Sequence, residues 1–338
     1  MEQLFSLTDL VSGRVSPEEV LARDSPKLDL TGFRFAEDGF VRVTRANREV
    51  RPVASKLANA GYVTDGIECG IASFVSLKKT YDHWGKWVEN WSISECGIVH
   101  TYTEPAQTST DPGLLVVFSS VSDRPNSPDM IRYFNQNFST IGKFIPRDVG
   151  ILRLSDIGCM VGAFYMDTLY NPRNESGITK FLDEFIAARG IRKDRVVFYG
   201  TSKGGTGAFL HGMKLGVRIV AVDPIVHDQH YLTKMNDAHF VTGVFPEMKE
   251  ARFSRLVRES ASPNATCVIS SENSPQFQYI EEIIRPLMSG DRLIFLNSKN
   301  PSIKDHPDVG PNTVNAAVMM INMSFYDLGL RGVNKKFF

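Results

Sequence analysis

Six short runs along the chain are dominated by apolar residues with no polar alternation: residues 113–118 (GLLVVF), 149–154 (VGILRL), 195–199 (RVVFY), 218–222 (RIVAV), 266–270 (TCVIS) and 292–296 (RLIFL). Runs of this length suit strands covered on both faces, as in a parallel sheet held between two helical layers. Between them the spacing turns helical, at 128–144, at 177–188 with Gly190 as a stop, from Gly204 after the third run, and at 314–325 after the last. Strands alternating with helices predict parallel pairing and a three-layer α/β sandwich. Residues 87–102 add one or two antiparallel edge strands, and residues 231–260, rich in Met, Phe and charge and set between two strands, predict a helical cap. In the amino-terminal part the pattern predicts a short helix at 17–22, a short strand at 39–43, and a short helix at 51–60 with Pro52 in its first turn.

The third run breaks into Gly200-Thr201-Ser202-Lys203-Gly204 and then a small-residue helix. This is the GxSxG pattern of a nucleophile elbow, in which a strand turns sharply into a helix and holds one serine hydroxyl above the sheet edge. The glycines answer a steric demand, because a Cβ two residues either side of the serine would collide within so tight a turn. Phosphate-loop readings fail: no GK[ST] follows the glycines, and Leu210 stands where GxGxxG needs its third glycine. The order strand, loop, helix, strand, helix, strand, elbow is that of an α/β-hydrolase, with a mostly parallel sheet.

A serine nucleophile on this architecture takes its acid and then its histidine from later in the chain. Of seven histidines, His83 and His100 precede the elbow, His211 lies on the helix that follows it, and His227, His230 and His239 fall at the cap. His306, in the loop after the 292–296 strand, is the expected base. Glu272, at the end of the 266–270 strand, is the expected acid, with Asp223, one strand earlier, as its substitute. An oxyanion hole would combine the N–H of Lys203 with a donor at Ser119 or Ser120, where the 113–118 strand ends.

The chain has 338 residues, 42% of them hydrophobic, enough for one large core and a smaller accessory region. Lys+Arg and Asp+Glu both total 38, so no global field draws the chain to nucleic acid or anionic lipid. Residues 1–20 lack a basic segment followed by an apolar core, and no apolar run approaches the roughly 18 residues of a membrane span. The expectation is a cytoplasmic protein without an integral membrane segment. Cys69, Cys96, Cys159 and Cys267 have no CxxC spacing and read as reduced thiols. Arg45, Arg48, Arg51 and Lys56 read as a solvated basic surface, with a glycan phosphate as the alternative ligand. The aromatic group at Tyr81, Trp84, Trp87 and Trp91 reads as packing, with sugar stacking as the alternative. His227, Asp228 and His230 with Asp223 would offer a metal site only if they shared a face, so no metal is expected. A DxD motif of a metal-dependent glycosyltransferase is absent.

The elbow YGTSKGG, the preceding strand GLLVVFSS and the spacing of Ser202, Glu272 and His306 resemble the XcbB/CpsF-type capsular polysaccharide biosynthesis proteins. They are also similar, more distantly, to the glycan O-acetyltransferase of the accessory Sec system. The resemblance covers residues 85–338. It implies a Ser-His-Glu triad on Ser202, His306 and Glu272, in a catalytic domain at 85–338 with its cap at about 229–260, behind a small α+β region at 1–84. The implied activity is acyl transfer onto a bacterial surface or capsular glycan. The implied acceptor is a glycan or a species derived from a nucleotide sugar, and the implied partners are other capsule or glycan biosynthesis proteins. No resident cofactor is expected; an acyl donor such as acetyl-CoA would be a substrate. A carbohydrate esterase and a non-catalytic glycan-binding protein are the alternatives.

Overall fold

The computed structural model describes residues 3–21, 27–31, 39–68, 71–78, 91–122, 133–260, 265–287, 293–328 and 335–337. The amino-terminal part forms a four-stranded sheet from β1 (Gln3–Ser6), β2 (Lys27–Thr31), β3 (Tyr62–Glu68) and β4 (Ile71–Ser76), in the order β1-β2-β4-β3. Helices α1 (Leu7–Ser12), α2 (Pro17–Leu21), α3 (Gly39–Ala46) and α4 (Arg51–Asn59) accompany it. The strand expected at 39–43 is the first half of α3 instead. Its β-branched residues read as strand locally, but Phe40, Val41 and Thr44 are buried together at helical spacing. Phe40 packs edge-on against Phe74, and the Thr44 hydroxyl is satisfied within the helix by the carbonyls of Phe40 and Val41.

The second sheet has nine strands in the order β13-β12-β11-β10-β9-β7-β8-β6-β5. They are β5 (Ser92–Ile93), β6 (Val99–Thr103), β7 (Gly113–Phe118), β8 (Val149–Leu154), β9 (Val196–Thr201), β10 (Arg218–Val222), β11 (Thr266–Ser270), β12 (Leu293–Asn297) and β13 (Lys335–Phe337). The strands β8 to β13 and β7 pair in parallel, whereas β6 and β5 form the antiparallel edge. Successive residues of β7 face opposite layers. Leu114, Val116 and Phe118 pack with α5 (Asn174–Ala188) and with Ala208 of α6 (Lys203–Leu215), while Leu115 and Val117 join a core completed by Ala317, Ile321 and Phe325. The sheet is thus covered on both faces, which is why its strands read as continuous apolar runs.

The segment expected as a cap carries α7 (Gln229–Thr233) and α8 (Lys249–Glu259), joined by turns; α9 (Phe277–Ile284), α10 (His306–Asn312) and α11 (Val314–Phe325) follow. The helix expected at 128–144 is not formed in its described part. Residues 133–144 run through turns to one 3-10 turn at Ile141–Lys143, and Phe138 stands at φ 56°, a left-handed conformation no right-handed helix can pass through. Residues 123–132 lie outside the described residues, as do Tyr81, Trp84 and Trp87 of the aromatic group. The basic residues of the amino-terminal region are spent internally: Arg45 donates to the Ala238 carbonyl, Arg48 to Asn236, Arg51 to the carbonyls of Thr44 and Arg45, and Lys56 pairs with Glu18. Cys96, Cys159 and Cys267 are free thiols, and Cys69 lies outside the described residues. Among the described residues no helix is long and apolar enough to cross a membrane.

Candidate active site

β9 ends in the elbow and α6 begins immediately after it. Ser202 takes φ 56° and ψ −122°, a conformation a non-glycine residue holds only under constraint from its surroundings. Its N–H is anchored to the Val222 carbonyl at 2.9 Å. A Cβ on Gly200 would lie 2.1 Å from the Gly204 carbonyl oxygen, and one on Gly204 would lie 2.2 Å from that of Phe118, so the flanking glycines are required by backbone contact.

Ser202 Oγ lies 2.7 Å from His306 Nε2, and His306 Nδ1 lies 2.7 Å from Asp223 Oδ2. A carboxylate only accepts, so Nδ1 carries the proton and Nε2 is left to accept from the serine hydroxyl. Asp223 is fully buried; Oδ1 accepts from Ser270 and Oδ2 from Ser274, each at 2.5 Å. His306 is the first residue of α10, held there by a capping box in which Asp305 and Asp308 exchange bonds with each other's backbone. The expected loop position is therefore a helix start, which orients the imidazole more firmly than a loop would.

Glu272 is not at His306. It lies past the end of β11, half exposed, ion-paired with Lys299 and bonded to Asn297. The reason is strand order. β10 is the direct neighbour of β9, with Val222 opposite Thr201, so the next residue, Asp223, stands beside Ser202; β11 is one strand farther out. At φ 43° the Asp223 backbone turns its short side chain inward.

The backbone N–H of Lys203 stands at the first turn of α6. Its side chain leaves the site altogether and pairs in the interior with Asp156 at 3.1 Å. Asp156 also accepts from the N–H groups of Phe164 and Tyr165, and the Tyr165 hydroxyl in turn accepts from the N–H of Ser119 at 2.6 Å. The Ser120 N–H donates to Asn137 Oδ1 at 2.8 Å. Ser119 and Ser120, the two positions expected for the second donor, thus each carry an acceptor of this chain's own. Asp156, Tyr165, Asn137, Ser270 and Ser274 were not legible as site residues, since each acts through strand-tip and loop contacts that no local pattern encodes.

Of the other described histidines, His211 and His227 stand apart from Ser202. His211 is fully buried, between the Thr179 hydroxyl and the Tyr165 carbonyl, and burial pushes its imidazole down to about 4. His227 stacks on Tyr279, and Asp228 pairs with buried Lys249 at 2.6 Å. With Asp223 committed to His306, the residues considered for a metal do not converge, and no group of three such ligands is found among the described residues. From the 231–260 segment, the Tyr231 ring stands perpendicular to that of His306 with centroids 6.1 Å apart, and His239 lies behind it against Tyr231 at 3.7 Å.

No family model and no curated protein matches this sequence. Among solved structures, the chain is similar to a glycosylation-associated protein complex from Streptococcus agalactiae, at 16% identity and a TM-score of 0.54, over 78% of this chain and 52% of that one. It thus spans about half the length of that protein. A fluorophosphonate-binding serine hydrolase of Staphylococcus aureus aligns at 13% identity and TM-score 0.47, over 69% of this chain and 96% of that one. The capsule O-acetyltransferase of Neisseria meningitidis serogroup A aligns at 11% identity and TM-score 0.45, over 70% and 93%. At 16% identity the likeness to the first of these is one of fold alone; the parallel strand order and the elbow between β9 and α6 give this chain the α/β-hydrolase architecture.

Proposed function

We propose that the protein is a serine-dependent acyltransferase that forms an acyl-enzyme on Ser202 and passes the acyl group to a hydroxyl of a bacterial surface or capsular glycan during its synthesis. The observation that carries the chemistry is the unbroken chain Ser202 Oγ, His306 Nε2, His306 Nδ1, Asp223 Oδ2, with both links at 2.7 Å. In this reading His306 takes the serine proton as Oγ attacks the acyl carbonyl. The imidazolium is stabilised by Asp223 and returns the proton to the leaving group of the donor. The acceptor hydroxyl then gives its proton to Nε2 as its oxygen attacks the ester, and the new ester leaves as Ser202 recovers its hydrogen. The Lys203 N–H at the helix start stabilises the oxyanion, and the Ser120 N–H joins it when Asn137 Oδ1 gives way to the substrate oxygen.

The glycan half of the reading rests on the sequence resemblance to XcbB/CpsF-type proteins and on the fold likeness to the glycosylation-associated complex. An acyl donor such as acetyl-CoA enters as a substrate and the protein acts in the cytoplasm beside other glycan-assembly proteins. The amino-terminal region serves as a brace for the cap. Intact-mass measurement after exposure to a fluorophosphonate tests the catalytic half: one adduct is expected on the wild type and none on Ser202→Ala. An unmodified, folded wild type would remove the acyl-enzyme from consideration.

A further inference from the structure

Buried cations in this fold come with carboxylates. Lys203 pairs with Asp156 at 3.1 Å, Lys249 with Asp228 at 2.6 Å and Arg252 with Glu175 at 2.6 Å. Arg153, on β8, is 7% exposed and breaks the pattern. Among the described residues it pairs with no carboxylate: Nη2 donates to the Phe138 carbonyl at 3.2 Å, and the enclosed Nε has no acceptor. Its strand position sets this charge among hydrocarbon. Val149 and Ile151, on the same face of β8, and Val117, opposite it on β7, belong to the core that includes Ile141 and that Phe138 packs against. Burial alone acts on the guanidinium and lowers it from the ordinary arginine value. An isolated charge in such surroundings destabilises the fold unless something pairs with it, and a methionine would fill the space without that penalty. The uncommitted donors, in a planar fork suited to paired oxygens, therefore call for an anionic ligand.

The place of the guanidinium indicates whose anion it takes. Arg153 stands in one row across the sheet with Val117 and Tyr199, and Tyr199 is followed on β9 by Gly200, Thr201 and then Ser202. With strands about 4.8 Å apart and about 3.3 Å per residue along them, the backbones of Arg153 and Ser202 are roughly 14 Å from each other. The carbonyl that Arg153 holds belongs to Phe138, at φ 56°, and the preceding Asn137 occupies the Ser120 N–H at the oxyanion loop. We propose that Arg153 anchors an anion-binding site beside that loop, which takes a carboxylate or phosphate group carried by a substrate of Ser202. The part that names a substrate rests on the acyl-enzyme reading of Ser202. Both groups present paired oxygens to a guanidinium, the carboxylate at the end of a dicarboxylic acyl chain, the phosphate on the carrier of the acyl group.

The test has a binding arm and a kinetic arm. Urea midpoints are measured for the wild type, Arg153→Lys and Arg153→Met in sodium chloride, and again with sodium phosphate or sodium succinate replacing part of it at constant ionic strength. At least one of the two anions should raise the wild-type midpoint, and Arg153→Met, at least as stable as the wild type in chloride, should lose that rise. No rise in the wild type, or an equal rise in Arg153→Met, would overturn the site. So would an Arg153→Met variant clearly less stable in chloride, since the guanidinium would then be spent on the Phe138 carbonyl. The kinetic arm compares kcat/KM for acylation between p-nitrophenyl acetate and mono-p-nitrophenyl succinate, and between S-acetyl-N-acetylcysteamine and acetyl-CoA. The wild type should favour the anionic member of one pair at least about tenfold, Arg153→Met about twofold or less, and Arg153→Lys by a value between them. A preference in the first pair identifies a carboxylate on the acyl chain, and one in the second a phosphate on the carrier. No preference in either pair, or one that survives in Arg153→Met, would overturn the assignment to a substrate. A wild type acylated by none of the four donors would remove the acyl-enzyme reading and that assignment with it, while the midpoints would still decide the anion site.

Discussion

The Asp223 carboxylate sits at 0% exposure and accepts three hydrogen bonds, from His306 Nδ1, Ser270 Oγ and Ser274 Oγ. Three donors hold the charge in place at the strand tips and keep the imidazole in one tautomer. Replacing Asp223 with Asn leaves the shape but permits the wrong tautomer, so the rate of Ser202 acylation should fall by about 10³ or more. Glu272→Gln should slow the same step by less than about tenfold, because its carboxylate faces Lys299 and Asn297. Burst kinetics on both variants distinguish the two acids, and the reverse order of effects would return Glu272 to the triad. Ser202→Ala and His306→Ala should each cost about 10⁴ to 10⁶ in turnover.

At the level of elements, the buried Lys203–Asp156 pair links α6, the helix after Ser202, to the segment between β8 and α5. Asp156 fixes the backbone of Phe164 and Tyr165, and Tyr165 fixes the end of β7 at Ser119. The side chain of the residue after Ser202 therefore serves architecture, while its N–H stands at the first turn of α6. Gly162 leaves room for the pair, since a Cβ there would lie 2.4 Å from both Asp156 Oδ2 and Lys203 Nζ. Lys203→Met would strand a buried carboxylate and should lower stability by about 3–5 kcal/mol, read as a drop in the urea midpoint. A change below about 1 kcal/mol would show that the pair holds nothing together.

Across the whole molecule, the amino-terminal helices, the cap and one face of the large sheet share a continuous core, and Arg45, Ser55 and Asn59 tie α3 and α4 to the carbonyls of Ala238, Thr242 and Gly243. Several titratable groups are enclosed in that assembly. Burial holds His211 at about 4 and His239 well below the ordinary value of 6.5. The unfolded chain therefore takes up these protons first. Stability is complete above about pH 7 and declines as pH falls through 6.5, by about 1.4 kcal/mol per pH unit for each histidine. Burial would raise the Glu175 carboxyl, but Arg252 and Lys214 outweigh it and bring the group from 4.5 to about 2, so a further loss sets in as pH falls below 4.5. Urea midpoints measured between pH 8 and pH 4 should trace this fall; a flat profile from pH 8 to pH 5 would mean the two histidines are not held neutral by the fold.

By itself the sequence determined β7 to β12, the six central strands of the large sheet, and the elbow. A strand covered on both faces must be apolar along its whole length, and a turn as tight as that at Ser202 tolerates only glycine at Gly200 and Gly204; both demands act on neighbouring residues and are written locally. The acid was read less well: Glu272 was the expected carboxylate and Asp223 only its substitute, because both close a strand and nothing local ranks them. Only the tertiary structure decided that Asp223 reaches the imidazole, because that depends on β10 lying next to β9. It decided equally that residues 39–46 coil and that Phe138 interrupts a helical pattern. It also decided that Ser119 and Ser120 have acceptors at their N–H groups. Each of these follows from partners far away in the chain, whose arrival at one place is set by how the sheet and its loops pack.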